Sequence, residues 1–550
     1  MTTDTSSHQF THALYSSIFT SSRSKQHWLT LLTWIAVLLF FVVAIWMRLH
    51  LLGVPFDRDS YDEGVYWQSL RSMSRGDLLY QQIFYSQPPA FLLSIYPFYA
   101  LLGQTIWSAR LGIAIISLFG FLGALLLGKA LAGRLGMLFA LLLLIINPLY
   151  LMESQILQAD GPSTALPLLA VGLAYLWWER PDGIAGYCLA TLTGITLALS
   201  ILTKLLAISV VIPISLLGLA HLVRMKKQAG VIYSASTNVL FLGCVAFVLT
   251  TILLLEPFSH AFPQLWQMVV TFHTKAERPY LATQNWNSSA IRSILVSFLG
   301  VSALYGTLIA LFRRDWRVIP LSAWLVATIY LLWQQVPLFP HHLVTLTPPL
   351  IALATMGISP ITSAEKRPRL LEDLLFPRLP RKAPLSKRLT FLKGISTTTH
   401  ALVAYTITVL AMILAICQIF INIQAIRFFY DHSYVIARSP NVQLNMHVVQ
   451  DLQRFTKQDQ LVITDTQFIA AQANRNTPAS LVDTSDVRII VGYVTTRQLR
   501  KEASQPQVHA ILFYTDRLDR FLPSFYNWVR RHFHRAYYYG RGKELWVRNP

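Results

Sequence analysis

Four carboxylates fall within the ten residues Asp57-Arg58-Asp59-Ser60-Tyr61-Asp62-Glu63-Gly64-Val65-Tyr66, directly after an apolar run of membrane-spanning length. Charged groups so close to a bilayer are costly, which makes them functional candidates by default. Asp62-Glu63 suits general-base chemistry, because a carboxylate in a partly desolvated cleft can take the proton of an attacking hydroxyl. The pair equally suits the first turn of a helix, where acids complement the dipole, and the two roles are compatible. Asp57-x-Asp59 has the spacing of a short metal-binding DxD, so a divalent metal is a candidate cofactor, with Asp57 and Asp59 as its weak ligands. Tyr85-Ser86-Gln87-Pro88-Pro89 follows in the same loop as a second polar motif.

Further along, Asp160 ends a membrane segment beside Glu153, and Gly161-Pro162 after it would also suit a helix start. Lys204 interrupts the apolar sequence Leu202-Thr203-Lys204-Leu205-Leu206. Such a lysine can snorkel to the interface, or it can hold a lipid phosphate and stabilise it as a leaving group. Lys275, Arg278 and Arg292 could share that task. His341-His342 could ligate a metal or contact a polar substrate, although neighbouring helical side chains point in different directions. The three cysteines lie in apolar segments and form neither a disulfide framework nor a zinc spacing.

These residues must be positioned by membrane helices. The 550-residue chain is 54% hydrophobic and only 13% charged, well below the charge of soluble domains at about 25%. Segments near 28–49, 106–128, 135–152, 162–178, 184–203, 205–222, 231–255, 290–312, 318–335, 342–358 and 400–422 predict about 11 transmembrane helices, each needing roughly 20 apolar residues. The stretch 88–103 begins with two prolines and is short. If it lies in the interface, one side of the membrane collects 20 basic residues and the opposite short loops 9. The positive-inside rule then puts the N-terminus in the cytoplasm. Loop 50–105, Asp160, Lys204, loop 256–290, His341-His342 and the C-terminal region all fall on the outer face. The basic loop 362–399 stays cytoplasmic, as a topology determinant that touches anionic lipid. The net charge of +20 is thereby accounted for without nucleic acid as a partner.

The Ser/Thr-rich residues 1–26 read as a disordered cytoplasmic N-terminus, and 27–425 as the transmembrane domain. Residues 430–550 read as a separate, extracytoplasmic α/β domain. Its expected helices are 441–455, with Leu444, Val448, Leu452 and Phe455 on one face, and 518–533. Its expected strands are 461–464, 488–491, 509–514 and 544–547. Asp465, Asp483 and Asp486 sit beside strand ends, where turn and cap roles are common. Asn287-Ser288-Ser289 has the form of a glycosylation sequon by coincidence.

The ordered set Asp62-Glu63-Gly64-Val65-Tyr66, Gly76-Asp77-Leu78-Leu79-Tyr80, Tyr85-x-x-Pro88-Pro89, Ala109-Arg110-Leu111, Leu202-Thr203-Lys204 and His341-His342-Leu343 resembles the C-type glycosyltransferases. The similar branch contains the protein O-mannosyltransferases and the lipid A aminoarabinose transferases, and the resemblance covers about residues 28–360. It implies a helical bundle with juxtamembrane helices in the first outer loop and a dolichyl- or undecaprenyl-phosphate sugar donor. It also implies Asp62 as the catalytic or acceptor-orienting carboxylate, Asp160 as a second acid and Lys204 on the donor phosphate. Aminoarabinose-type relatives commonly carry Lys-Pro-Pro where this chain has Gln87-Pro88-Pro89. That removes one phosphate cation, for which Arg110 or loop 256–290, with Lys275 and Arg278, would compensate.

The expectation is therefore an inverting membrane glycosyltransferase of the cell membrane. Asp62, Glu63 and Asp160 are its catalytic candidates, and Tyr66, Tyr85, Gln87, His341 and His342 its substrate contacts. Its partners are a polyprenyl-phosphate sugar, membrane lipids and a protein, glycolipid or cell-wall acceptor. A flippase for lipid-linked glycans would instead bury charges at the membrane midplane, and a sensor or scaffold would need no catalytic carboxylate.

Overall fold

The computed structural model describes residues 6–54, 60–227, 231–277, 284–359 and 397–549. The fold is a polytopic α-helical bundle joined to a C-terminal α/β domain. Helix α1 (Ser6–Leu49) begins within the stretch expected to be disordered, because a nucleated apolar helix extends at little cost per added residue. Six of the described helices are long and apolar enough to cross a membrane, or seven if the bent pair Trp286–Leu295 and Phe298–Phe312 counts as one span. The expected eleven are therefore not matched helix for helix.

Much of the difference comes from how the chain breaks. After α2 (Ser60–Ser74) and α3 (Ala90–Leu101), α4 (Ile106–Ile145) contains non-helical dihedrals at Ala132 and Gly133. There the chain folds back: Tyr150 Oη donates to Ser117 O at 2.6 Å, and a Cβ on Gly128 would lie 2.3 Å from Gly136 O. So α4 is a hairpin holding two of the expected spans, closed by small residues that let the backbones touch. Helix α3 is 12 residues long and contains Pro97, about 18 Å by helical rise, too short for a bilayer core of about 30 Å.

Short α5 (Pro148–Glu153) leads to α6 (Pro162–Glu179), α7 (Gly183–Thr203), a 3-10 turn at Leu205–Val210, α8 (Val211–Lys227) and α9 (Val231–Leu255). Beyond α10 (Phe262–Trp266), a π-helical turn Gln267–Thr271 enters α11 (Phe272–Glu277). Helices α12 (Gln284–Leu295), α13 (Phe298–Phe312), α14 (Val318–Gln334) and α15 (Thr347–Gly357) complete the bundle, and α16 (Thr397–Ala437) leads out of it. The sequon asparagine, Asn287, is buried and donates to Trp333 O and Gln335 O, so it is a packing residue. Residues 360–396 of the basic loop lie outside the described residues.

The C-terminal domain opens with α17 (Pro440–Phe455), capped by Ser439, whose hydroxyl accepts from Val442 N. Its sheet has the order β1-β2-β4-β3, with β1 (Leu461–Thr464) parallel to β2 (Val508–Phe513) and β4 (Lys543–Arg548) antiparallel to β2 and to β3 (Phe533–Gly540). Between β1 and β2 lie α18 (Gln467–Gln472), α19 (Asp486–Ile490) and α20 (Thr496–Ala503); α21 (Arg517–Phe521) and α22 (Pro523–His532) follow β2. The expected strand 488–491 is thus largely the helical turn α19: the Ser485 hydroxyl caps it, accepting from Arg488 N, which outweighs the β-branched run. The expected helix 518–533 breaks at Leu522-Pro523, since proline disfavours a helical residue before it, and β3 takes up the chain at Phe533.

This domain is not separate. Trp67, Leu70 and Phe91 of the first loop share one hydrophobic core with Val448, Leu452 and Phe468, and the Trp67 and Phe468 rings meet edge to face at 5.3 Å.

Candidate active site

The polar residues converge on one cavity of about 480 Å³ where the bundle meets the C-terminal domain. Its walls come from α2 (Asp62, Tyr66), the 84–87 segment, Asp160, Lys204, the π-turn region (His273), His341-His342, and the C-terminal domain (Asp483, Arg517).

Asp62 sits in the first turn of α2 and receives a 3.3 Å bond from Gln158 Nε2. Glu63, one residue round the helix, points away from the cavity. It is fully buried and grips Arg110 of α4 in a fork, at 2.8 Å to Nε and 2.6 Å to Nη2, while also accepting from Leu157 N at 2.7 Å. Arg110 spends Nη1 on the carbonyls of Leu52 and Val54. Neither residue lines the cavity. Glu63, expected as a catalytic acid, and Arg110, expected on the donor phosphate, instead pair with each other in the interior, and adjacent helical side chains face different directions.

Asp160 precedes α6, and Lys204 is the extended residue (φ −158, ψ 130) that terminates α7. That break turns the lysine inward, and its ammonium lies 2.7 Å from both Asp160 oxygens. Asp160, His341 and His342 also offer ligand atoms within 4.8 Å of one another, and the two imidazoles meet at 88° with centroids 4.5 Å apart. These three could hold a metal, but the Asp160 oxygens are already engaged by the ammonium, so a cation would have to displace it. Asp57 and Asp59 lie outside the described residues.

Tyr66, Tyr85 and Gln87 line the cavity, as do both histidines. Burial, and next the Asp62 carboxylate, push the Tyr66 phenol well above its usual value, so it keeps its proton. Lys275 instead lies 5.4 Å from the centroid of the Tyr493 ring, outside the lining; Arg292 is exposed on α12; Arg278 is outside the described residues.

Among the lining residues that sequence reasoning did not assign to the site are His273, Asp483 and Arg517. His273 follows the π-helical turn, a feature found often at functional sites, and its Nε2 is 2.9 Å from Ser86 O, next to Gln87. Asp483 and Arg517 arrive from the C-terminal domain. Asp483 accepts from Tyr61 Oη at 3.0 Å and Ser485 N at 2.8 Å, and Arg517 lies 3.8 Å from the Tyr61 ring centroid. Nothing local marks any of these three. Asp465 has the turn role expected of it, accepting from Tyr514 N and Arg517 N.

No family model and no curated protein sequence matches the chain. Solved structures do. ArnT from Cupriavidus metallidurans in the apo state aligns over 95% of this chain and 98% of its own, with a TM-score of 0.54 at 14% identity. The same protein bound to undecaprenyl phosphate gives 0.55 at 15% identity, over 94% and 98%. The Archaeoglobus fulgidus oligosaccharyltransferase in complex with Zn and sulfate gives 0.50 at 14%, over 93% of this chain and 73% of its own. The chain shares the fold of these proteins.

Proposed function

We propose that the protein is a membrane glycosyltransferase that moves a sugar from a polyprenyl-phosphate donor to an acceptor hydroxyl. The observation that carries this reading is the single cavity that joins Asp62 to the Asp160–Lys204 pair and three histidines. It holds a carboxylate base and a fixed cation in one cleft, as displacement at a sugar phosphate requires. The shared fold with ArnT, which is described bound to undecaprenyl phosphate, supports the donor class.

In this mechanism the acceptor oxygen attacks the anomeric carbon as the bond from that carbon to the phosphate oxygen breaks. Asp62 takes the hydroxyl proton, and the lipid phosphate leaves as an anion beside Lys204, with His342 as a further donor. One displacement inverts the anomeric centre. Phosphate is a good leaving group, so positioning and charge stabilisation matter more than a general acid. Tyr66 and Gln87 hold the sugar. The reaction is placed on the outer membrane face, where the charge count puts the loop that carries Asp62.

The test is sugar release from a radiolabelled polyprenyl-phosphate hexose by protein in lipid, supplied with crude envelope acceptors. Wild type should turn over. Asp62→Asn should bind donor with turnover reduced at least about a hundredfold, the scale of a lost general base. Equal turnover in both proteins would remove Asp62 from the mechanism. No binding of any lipid-linked sugar by wild type would remove the function.

A further inference from the structure

Helix α2 meets the C-terminal domain along its whole length. Its contacts at Tyr61, Gly64, Gln68 and Arg71 have spacings that put all four on one helical stripe, with Trp67 beside them and Arg75 just past the end of the helix. Tyr61 donates to Asp483. A Cβ on Gly64 would lie 2.3 Å from Phe468 N, so the helix backbone rests directly on α18. Buried Gln68 donates to Arg475 O at 2.9 Å and accepts from Thr477 N at 3.3 Å. Arg71 donates to the side chains of Asn476 and Asn474 at 2.9 and 2.8 Å. Arg75 reaches Thr477 O.

Asp62 follows Tyr61 directly, about 100° further round the helix, so whatever holds Tyr61 sets the direction of the Asp62 carboxylate. On its other side Glu63 is held by Arg110. The first turn of a helix has amide N–H groups without intrahelical partners and is where fraying starts, so Asp62 sits at the part of α2 most in need of an external anchor. The Tyr61 hydroxyl is fixed by Asp483, Asp483 is fixed by the amide of Ser485, and Arg517 covers the Tyr61 ring. Asp483 is itself buried, Tyr61 and Arg517 are half-buried, and all three line the cavity.

We infer that Asp483, acting through Tyr61, is a positioning residue for Asp62, and that the C-terminal domain is thereby a working part of the active site and not a cover over it. The inference rests on the reading of Asp62 as the base.

The experiment uses full-length protein in lipid nanodiscs, with a radiolabelled polyprenyl-phosphate hexose, and compares wild type, Asp62→Asn, Tyr61→Phe, Asp483→Ala, the double variant Tyr61→Phe/Asp483→Ala, and Arg71→Ala. Tyr61→Phe removes one oxygen atom and keeps the ring, so it is the variant least disturbing to the fold. Tyr61→Phe and Asp483→Ala should each lower kcat about tenfold or more, the cost of a slightly misplaced catalytic group, with donor KM within about twofold of wild type. The double variant should be no worse than either single one, because both break the same link. Arg71→Ala weakens docking about 15 Å further along the helix and should leave kcat unchanged.

Multiplicative losses, a change in KM alone, or an equal loss in Arg71→Ala would each show that these contacts only hold the domains together, and would overturn the inference. Amide hydrogen exchange supplies a readout without turnover: Tyr61→Phe should speed exchange at residues 62–66 and leave 70–74 at the wild-type rate. Uniform exchange along α2 would overturn the inference as well. Failure of the underlying function looks different, since Asp62→Asn would then match wild type whatever the exchange pattern shows.

Discussion

The Lys204 ammonium stands 2.7 Å from each oxygen of Asp160, joining the end of one membrane helix to the turn before another. Both side chains are almost wholly buried. Removing one member of such a pair strands the other and costs about 3–5 kcal/mol, whereas removing both charges is far milder. Lys204→Met should therefore unfold at a clearly lower temperature and lose binding of undecaprenyl phosphate. The double variant Asp160→Asn/Lys204→Met should recover most of the thermal stability and none of the binding. Recovery of both would mean that the lysine serves Asp160 alone.

Arg110 supplies a contrast. It binds Glu63 and two backbone carbonyls deep in the protein and does not reach the cavity. Arg110→Met should destabilise the protein by about 3–5 kcal/mol, measured by thermal unfolding, while the fraction that remains folded binds donor with wild-type affinity. A selective loss of donor affinity at unchanged stability would return Arg110 to the phosphate site.

Gly64 lies where α2 touches the backbone of Phe468. A methyl group there has only main chain to push against, and overpacking of this kind costs about 1–3 kcal/mol. Gly64→Ala should open the contact between α2 and the C-terminal domain, read as faster limited proteolysis of the 440–549 region with the membrane helices unaffected. Unchanged proteolysis would show that the two parts separate without loss.

His509 on β2 is held below its usual value of 6.5, first by burial and then by the neighbouring charge of Arg548. The unfolded chain then binds the proton more readily than the folded one. This histidine's share of stability is present above pH 6.5 and is lost as the pH falls through that value towards the lower folded one. Protection factors of the β2 amides, taken after division by the base-catalysed intrinsic rate, should fall between pH 7.5 and 5.5 in wild type, and His509→Gln should flatten that dependence. An identical pH profile in the variant would assign the effect to other groups.

Asp62, Asp160, Lys204 and His341-His342 stood out in the sequence because charge is sparse in so apolar a chain and each stands at the end of an apolar run. The division of labour within Asp62-Glu63 was not legible. Adjacent residues on a helix face different directions, and only the position of Arg110, 47 residues away from Glu63, shows which carboxylate is buried. The α4 hairpin was legible as two apolar runs, while the broken helix 518–533 was misread because its apolar periodicity outweighed the signal of Pro523.

By itself, the sequence determined that this chain is a bundle of apolar helices with a polar domain after it, and that a few charged residues gather at one end. Those properties follow from composition, segment length and charge placement, which act locally along the chain. Tertiary structure alone decided that His273, Asp483 and Arg517 complete the cavity and that the C-terminal domain shares a core with the loop carrying Asp62. The contact between Tyr61 and Asp483 spans 422 residues of sequence. No local pattern encodes such a pairing, because it exists only once separate elements have buried their apolar faces against one another.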